Sequence, residues 1–488
     1  MFARHLLLGA TILSGLSGLA ATAQADQVYS GGASLPAPYL RQAASCYGVD
    51  TPLLIKQSSG AATVASPAIP DFNSGTYNCA SLTPVSSDTI NYVSTGSGTG
   101  IKAFFTNNPA QLGTIPSGGN YPDVSFAVSE TPLVAADLAA WNSVTAFTYS
   151  GLSFKAANGT GSGNENPLAT YGEMIQVPAL VAAVTLAYNP TYVNADGDTF
   201  PFNPSVPLQL TQAQYCGIFN GDITNWNQIS TALKADADDT EFNAPLSVVG
   251  RSDSSGTTSL FTRHLAGVCG GSTNKYTAST STLPQAVRNL SNVVTADQSS
   301  GVAAAIATAP GSIGYLGLDY VGDYAQHTGS TTASLKAASL QNKAGSFVAP
   351  TPASATAAFG NFTAPTGTDL ADPTKWVAGT NLDKDASGEF TNKLVNPAGA
   401  ESYPIVGTSN FLVYTCYSDA AKASAVTSFF DWYYSNDVVN NGSVGVLSYS
   451  GLAPVSETFR QSIRDTFIDS NSGNSLHIRS GCTGKAGA

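Results

Sequence analysis

Short apolar runs alternate with helix-patterned stretches along this chain, and turn-rich segments separate them. That alternation restricts the fold to an α/β architecture. Strands are predicted over residues 124–128, 180–188, 246–249 and 411–414. Helices are predicted over 100–106, 258–268, 301–307 and the aromatic-rich 423–434. Leu260, Phe261, His264, Leu265 and Val268 fall on one face of the second of these. Three segments, 61–87, 156–166 and 330–381, are dominated by small polar residues, Ala and Pro. Such composition buries little and is expected in surface loops or insertions.

The first 25 residues have the pattern of a cleaved signal peptide: Arg4 and His5, an apolar run over 6–19, then Ala23-Gln24-Ala25 as a small-x-small cleavage site. The apolar run is too short for a membrane span. No cysteine follows the cleavage site directly, so no lipid anchor is expected at the mature N-terminus. The mature chain is expected to be periplasmic or secreted. Its six cysteines, Cys46, Cys79, Cys216, Cys269, Cys416 and Cys482, suit an oxidising compartment. Long spacings and the lack of a C-x-x-C pair argue against zinc or redox chemistry. The expected disulfides are Cys46–Cys79, Cys216–Cys269 and Cys416–Cys482, the set that closes the shortest loops. A net charge of −12 disfavours nucleic acid and anionic membranes as partners.

The most chemically suggestive residues are Gly250-Arg251-Ser252-Asp253-Ser254-Ser255-Gly256-Thr257-Thr258, between a predicted strand and a predicted helix. A helix start offers unpaired N–H groups and partial positive charge, which suit a tetrahedral oxyanion. Arg251 adds a planar fork of donors, and Ser255 and Thr257 add hydroxyls. Taken alone, the segment fits equally a Ser-capped surface helix with a solvated Arg and Asp.

A second glycine-rich segment, Thr95-Gly96-Ser97-Gly98-Thr99-Gly100-Ile101-Lys102, also leads into an apolar helix. Its glycines permit close backbone approach to a ligand, and Ser97 offers a hydroxyl. It lacks the Gly-Lys-Ser/Thr ending of a nucleotide-binding P-loop. Glu130 follows the strand over 124–128, and strand ends are where ligands sit in open α/β sheets. Alone, Glu130 reads as an exposed loop acid.

In their order, these segments resemble the PstS family of periplasmic phosphate-binding proteins, and within it the exported DING-type branch of pseudomonads. The resemblance rests on Gly32-Ala33-Ser34-Leu35-Pro36-Ala37-Pro38, the Gly96–Lys102 segment, residues 126–133, Ile218-Phe219-Asn220-Gly221-Asp222-Ile223-Thr224-Asn225-Trp226, Arg251 to Thr258, Gly311-Ser312-Ile313-Gly314-Tyr315 and Phe429-Phe430-Asp431-Trp432. It implies a two-lobe periplasmic-binding-protein fold (type II) with a hinge and an interlobe cleft. One lobe would combine 26–186 with 411–488, and the other would hold 187–410. Carried over by position, the phosphate shell would be Ser34 and Leu35, Ser97, Glu130, Arg251 held by Asp253, and Ser255, Gly256 and Thr257. Ser34 stands where the family often has Thr, and Glu130 where it usually has Asp. The carboxylate there accepts the proton that phosphate carries and repels sulfate, which has none. A side chain one methylene longer must retract, or the pocket must shift.

The function implied is that of a monomeric exported binder of inorganic phosphate in phosphate acquisition, with a membrane transporter as a possible receiver. The alternative is a secreted alkaline phosphatase acting on phosphate esters on the same scaffold, since related pseudomonad proteins resemble low-molecular-weight alkaline phosphatases. Its catalytic residues would come from Ser97, Glu130, Arg251 and Ser255. No cofactor or metal is expected. Beyond the leader, only His264, His327 and His477 remain, far apart in sequence. The segment starting Asp383-Lys384-Asp385 has Leu394 where a calcium loop needs Glu. A matrix or adhesion role is a third, weaker reading.

Overall fold

The computed structural model describes residues 27–48, 55–56, 63–64, 85–115, 119–120, 122–142, 146–149, 152–155, 167–235, 242–271, 274–327, 332–360, 362–435, 446–470 and 476–488. The leader, Cys79, most of 61–87 and all of 156–166 lie outside the described residues.

Among the described residues nine strands form one sheet. In chain order they are β1 (Gln27–Gly32), β2 (Thr89–Ser94), β3 (Phe126–Ser129), β4 (Met174–Tyr188), β5 (Ser247–Arg251), β6 (Val293–Ala296), β7 (Ser312–Gly317), β8 (Lys336–Ala337) and β9 (Val406–Tyr414). Their spatial order is β6-β5-β7-β4-β9-β3-β1-β2, with the short β8 also on β4. The strands predicted from apolar runs are present, with β4 and β9 starting earlier than expected.

The 15-residue β4 is buried along its whole length, so both its faces carry apolar side chains. Residues 174–183 pair antiparallel with β9, and 184–188 pair antiparallel with β7. β4 thereby belongs to both halves of the sheet. In one half β1 lies parallel to β2 and β3; in the other β5 lies parallel to β6 and β7. The registers set these two parallel groups running in opposite directions. The end of β3, Ser129, aligns through Asn410 with Pro178, while the end of β7, Gly317, aligns with Val184. The carboxyl ends of the two groups therefore face each other across a short gap.

Helices follow these ends: α1 (Ala37–Tyr47) after β1, α2 (Ser97–Thr106) after β2, α3 (Gly256–Val268) after β5 and α4 (Gln298–Thr308) after β6. α3 is more deeply set than a one-sided apolar stripe suggests, because every residue from Gly256 to Leu265 is buried. His264 belongs to this core. Its Nδ1 lies 2.8 Å from the Val395 carbonyl and its Nε2 3.0 Å from the Tyr215 hydroxyl. Burial depresses its pKa to about 4, so the ring is neutral at physiological pH.

Aromatic side chains fill the first half. Phe126 packs edge-on against Phe411 at 5.5 Å, and Phe411 against Phe430 at 4.8 Å. The β4–β9 register shifts at Pro178–Leu180, where the hydroxyls of Tyr433 and Tyr434 donate to the Ala179 and Pro178 carbonyls at 3.1 Å each. Cys216–Cys269 and Cys416–Cys482 are disulfide-bonded, as nearest-neighbour pairing expected. Among the described residues no helix is long and apolar enough to cross a membrane.

The reading of 330–381 as an exposed loop is corrected. Its described part contains helix α5 (Pro352–Phe359) and the wholly buried Trp376. The Trp376 ring lies 5.0 Å from Phe467 and 5.9 Å from Phe459, and its Nε1 donates to the Leu370 carbonyl at 3.0 Å. Gln176 of β4 donates to the Pro373 carbonyl at 3.1 Å. Average composition concealed a few large anchors among many small residues. Trp376→Ala is expected to destabilise the chain by roughly 3–5 kcal/mol in urea denaturation. A loss under about 1 kcal/mol would restore the segment to a dispensable loop.

Candidate oxyanion site

Six strand ends deliver side chains into the gap. The turn after β1 brings Ser34 and Leu35, β2 leads to Ser97, and β3 leads to Glu130. From the opposite half, β5 ends at Arg251, β6 leads to Gln298 and Ser299, and β7 leads to Asp319. Gly96 has φ +83°, a conformation costly for any other residue, and its N–H donates to the Gly32 carbonyl at 2.8 Å. This bond turns the chain from β2 into α2. The next turn reaches across the gap, where the Gly98 N–H donates to the Ser254 carbonyl at 3.2 Å.

Arg251 is 2% exposed. Its Nε and Nη2 donate to Asp253 Oδ1 and Oδ2 at 2.7 and 2.5 Å, a two-point clamp that fixes the guanidinium plane. Its Nη1 donates to Ser299 Oγ at 3.3 Å, and its N–H to the Tyr315 hydroxyl at 3.2 Å. Burial alone would lower the Arg251 pKa; attraction and hydrogen bonds from Asp253 outweigh it, holding the group above its ordinary value. The surface-helix reading of this segment therefore falls: the cation is buried and paired.

Ser255 caps α3, its Oγ accepting from the Thr258 N–H at 3.1 Å. Gly256 and Thr257 follow at the first two helical positions, where the N–H groups have no intrahelical acceptor. Thr257 Oγ1 is buried and finds no hydrogen-bond partner among the described residues. Gly256 is tightly enclosed: a Cβ there would sit 2.5 Å from Ser97 Oγ and 2.6 Å from Glu130 Oε2. Any side chain at this position would collide with the opposite half.

Glu130 is not the exposed acid its sequence setting suggested; it is 1% exposed. Oε2 accepts from Ser97 Oγ and Oε1 from Ser409 Oγ, both at 3.1 Å. Burial pushes its pKa up to about 7, against the opposing pull of Arg251, Ser97, Ser409 and its own N–H. Ser34 Oγ lies 3.0 Å from Ser299 Oγ and accepts the Ser299 N–H at 3.1 Å, closing the gap from the other side. Leu35 is fully buried with its Cγ against Gly317.

The nine residues singled out from sequence thus converge on one gap. Ser299, Ser409, Tyr315, Tyr320 and Asp319 were missed. Tyr320 donates its hydroxyl to the Ser34 carbonyl at 3.0 Å. Burial pushes the Asp319 carboxyl well above its ordinary pKa, and the Glu130 charge adds to that. Asp297-Gln298-Ser299-Ser300-Gly301 shares Ser-Ser-Gly with the Asp253–Gly256 segment, but its acid stands one residue further from the glycine, so the spacing gave no matching signal. Among the described residues no cluster of three or more His, Cys, Asp or Glu is arranged to hold a metal ion.

The PBP superfamily domain model matches residues 19–437. Alkaline phosphatase L of Pseudomonas aeruginosa (strain PAO1) is 31% identical over 431 residues, covering 86% of this chain and 95% of the relative. A phosphate-binding protein from an unknown prokaryotic organism is 26% identical, covering 81% of this chain and 92% of its own. The solved structure of a high-affinity periplasmic phosphate-binding protein, PfluDING, bound with phosphate, superposes with a TM-score of 0.62 at 24% identity, covering 95% of this chain and 99% of that one.

Removing the Asp253 carboxylate leaves a buried guanidinium without its counter-charge. Asp253→Ala is expected to cost roughly 3 kcal/mol in chemical denaturation. A cost below about 0.5 kcal/mol would mean that Arg251 is solvated and the gap open.

Proposed function

We propose, from the premise that the chain belongs to the PBP superfamily, that it is an exported phosphate-binding protein that clamps inorganic phosphate between the two halves of its sheet. In this reading residues 26–186 with 411–488 form one lobe and 187–410 the other. Hinge motion occurs where β4 exchanges β9 for β7. Phosphate acquisition is the role that fits, with a membrane transporter as receiver of the ligand.

The observation that carries the reading is the orphaned hydroxyl of Thr257 at the N-terminus of α3, within a gap that also holds a buried arginine. A buried polar group without a partner is costly unless a ligand supplies one. A tetrahedral oxyanion would take the N–H groups of Gly256 and Thr257, the Thr257 hydroxyl and the remaining Arg251 protons from one side. Ser34, the Leu35 N–H and Ser97, its hydroxyl turned from Glu130 to the ligand, would donate from the other. Most of these donors sit on rigid strand or helix ends, so little ordering is needed on binding. The chain's net charge of −12 opposes an incoming anion, so this local array must supply the selectivity.

A second reading has a specific observation in its favour. Ser97 Oγ donates to Glu130 Oε2 at 3.1 Å, a hydroxyl beside a carboxyl whose pKa lies near 7. That is the relation of nucleophile and general base, and one relative carries the name alkaline phosphatase L. The same gap would then hydrolyse phosphomonoesters.

Calorimetry with phosphate and turnover of a chromogenic phosphomonoester, with and without chelator, separate the two. Binding without turnover is the expected result, and Arg251→Met should weaken it by about 100-fold or more. Turnover abolished by Ser97→Ala would establish the enzyme. No phosphate binding, with Arg251→Met inert, would defeat both readings.

A further inference from the structure

Gln298 opens α4 with φ +60°, a left-handed backbone that a Cβ makes costly and that glycine would adopt freely. Among the described residues Asn107 alone shares a positive φ without being glycine, and it caps the end of α2, where asparagine is tolerated. Gln298 has no such allowance: its surroundings must hold it. Its N–H donates to Asp253 Oδ1 at 3.1 Å, on the carboxylate that clamps Arg251. Its Oε1 accepts from Ser94 Oγ at 2.6 Å, and Ser94 is the last residue of β2, in the opposite half of the sheet. Nε2, at the amide's other end, faces Asp297 Oδ2 at 3.5 Å, which fixes which atom accepts from Ser94.

The next residue repeats the pattern. The Ser299 N–H donates to Ser34 Oγ across the gap at 3.1 Å, and its hydroxyl accepts from Arg251 Nη1 at 3.3 Å. With the left-handed turn in place, two consecutive N–H groups reach partners in opposite halves, Asp253 in one and Ser34 in the other. Gln298 and Ser94 are both buried, so solvent does not compete for their bond while the gap is closed. Parting the halves separates Ser94 from Gln298, because one rides on β2 and the other on α4.

We infer that Gln298 is a positioning residue that also latches the closed gap: its turn keeps the Asp253–Arg251 clamp oriented, and its side chain, through Ser94, slows departure of the bound oxyanion. The inference rests on the phosphate-binding reading. The Ser94 bond forms only once the halves have met, after the ligand has entered, so its loss appears in the rate of release and not in the rate of arrival. The turn acts differently. Alanine at 298 bears the cost of the left-handed backbone with no Ser94 bond to hold it, and the chain relaxes away from Asp253; glycine keeps the turn without that cost. At an ordinary helix position alanine would be the better residue of the two.

The test uses the full mature chain, with release of radiolabelled phosphate into excess unlabelled phosphate for dissociation and calorimetry for affinity. Ser94→Ala and Gln298→Gly are each expected to speed release about fivefold to tenfold, leaving the association rate within about twofold. The double variant is expected to release no faster than either single one, since both remove the same bond. Gln298→Ala is expected to bind phosphate about threefold or more weakly than Gln298→Gly. Should the Gln298 variants fail to fold, Ser94→Ala decides alone: release within about twofold of the unsubstituted chain overturns the inference. So does an additive double variant, or Gln298→Ala binding as tightly as Gln298→Gly. If the unsubstituted chain binds no phosphate, the reading beneath falls instead.

Discussion

One buried strand, β4, hydrogen-bonds to both halves of the sheet, and the rest of the architecture follows from that shared pairing. Because β9 takes residues 174–183 and β7 takes 184–188, the parallel groups on either side run toward each other. Their carboxyl ends, and the helix N-termini that follow them, must then meet in the gap. Two such N-termini, those of α3 and α4, enter it from one half. Their partial positive charge reinforces Arg251 in a chain that is otherwise strongly acidic.

The gap holds together through a few buried polar contacts in place of apolar packing. Asp253 orients Arg251, and Ser34 meets Ser299. Glu130 is held between Ser97 and Ser409. Each contact satisfies a group that burial would otherwise penalise; Ser34–Ser299 joins the two halves, as do the Gly98 N–H to the Ser254 carbonyl and the Tyr320 hydroxyl to the Ser34 carbonyl. Gly256 and Gly96 are essential to this closeness: a Cβ on Gly96 would sit 2.6 Å from Asp253 Oδ2. The residues that join the halves therefore adjoin those proposed to bind the oxyanion.

Much of this was legible in the sequence, and the rest was hidden for physical reasons. The strands of the gap announce themselves as apolar runs, and Arg251 to Thr257 combine glycine, hydroxyl and charge at a helix start. Ser299 and Ser409 were not legible, because a lone serine carries no periodic or compositional signal; only the fold places them against Arg251 and Glu130. Glu130 looked like a loop acid because sequence position says nothing about the Ser409 strand that covers it. The segment 330–381 misled in the opposite direction: its many small residues masked Trp376 and α5, which bury as a core does. Cys216–Cys269 and Cys416–Cys482 followed from loop length alone, whereas Cys79 lies outside the described residues.

The central claim is that one oxyanion is held by both halves of the sheet at once. Amide hydrogen exchange of the mature chain, measured with and without saturating phosphate, tests it most directly. The account predicts that exchange slows in both sets of amides together: Gly256, Thr257 and Ser299 in one half, Ser34, Leu35 and Ser97 in the other. Protection confined to one half, or absent from both, would contradict it.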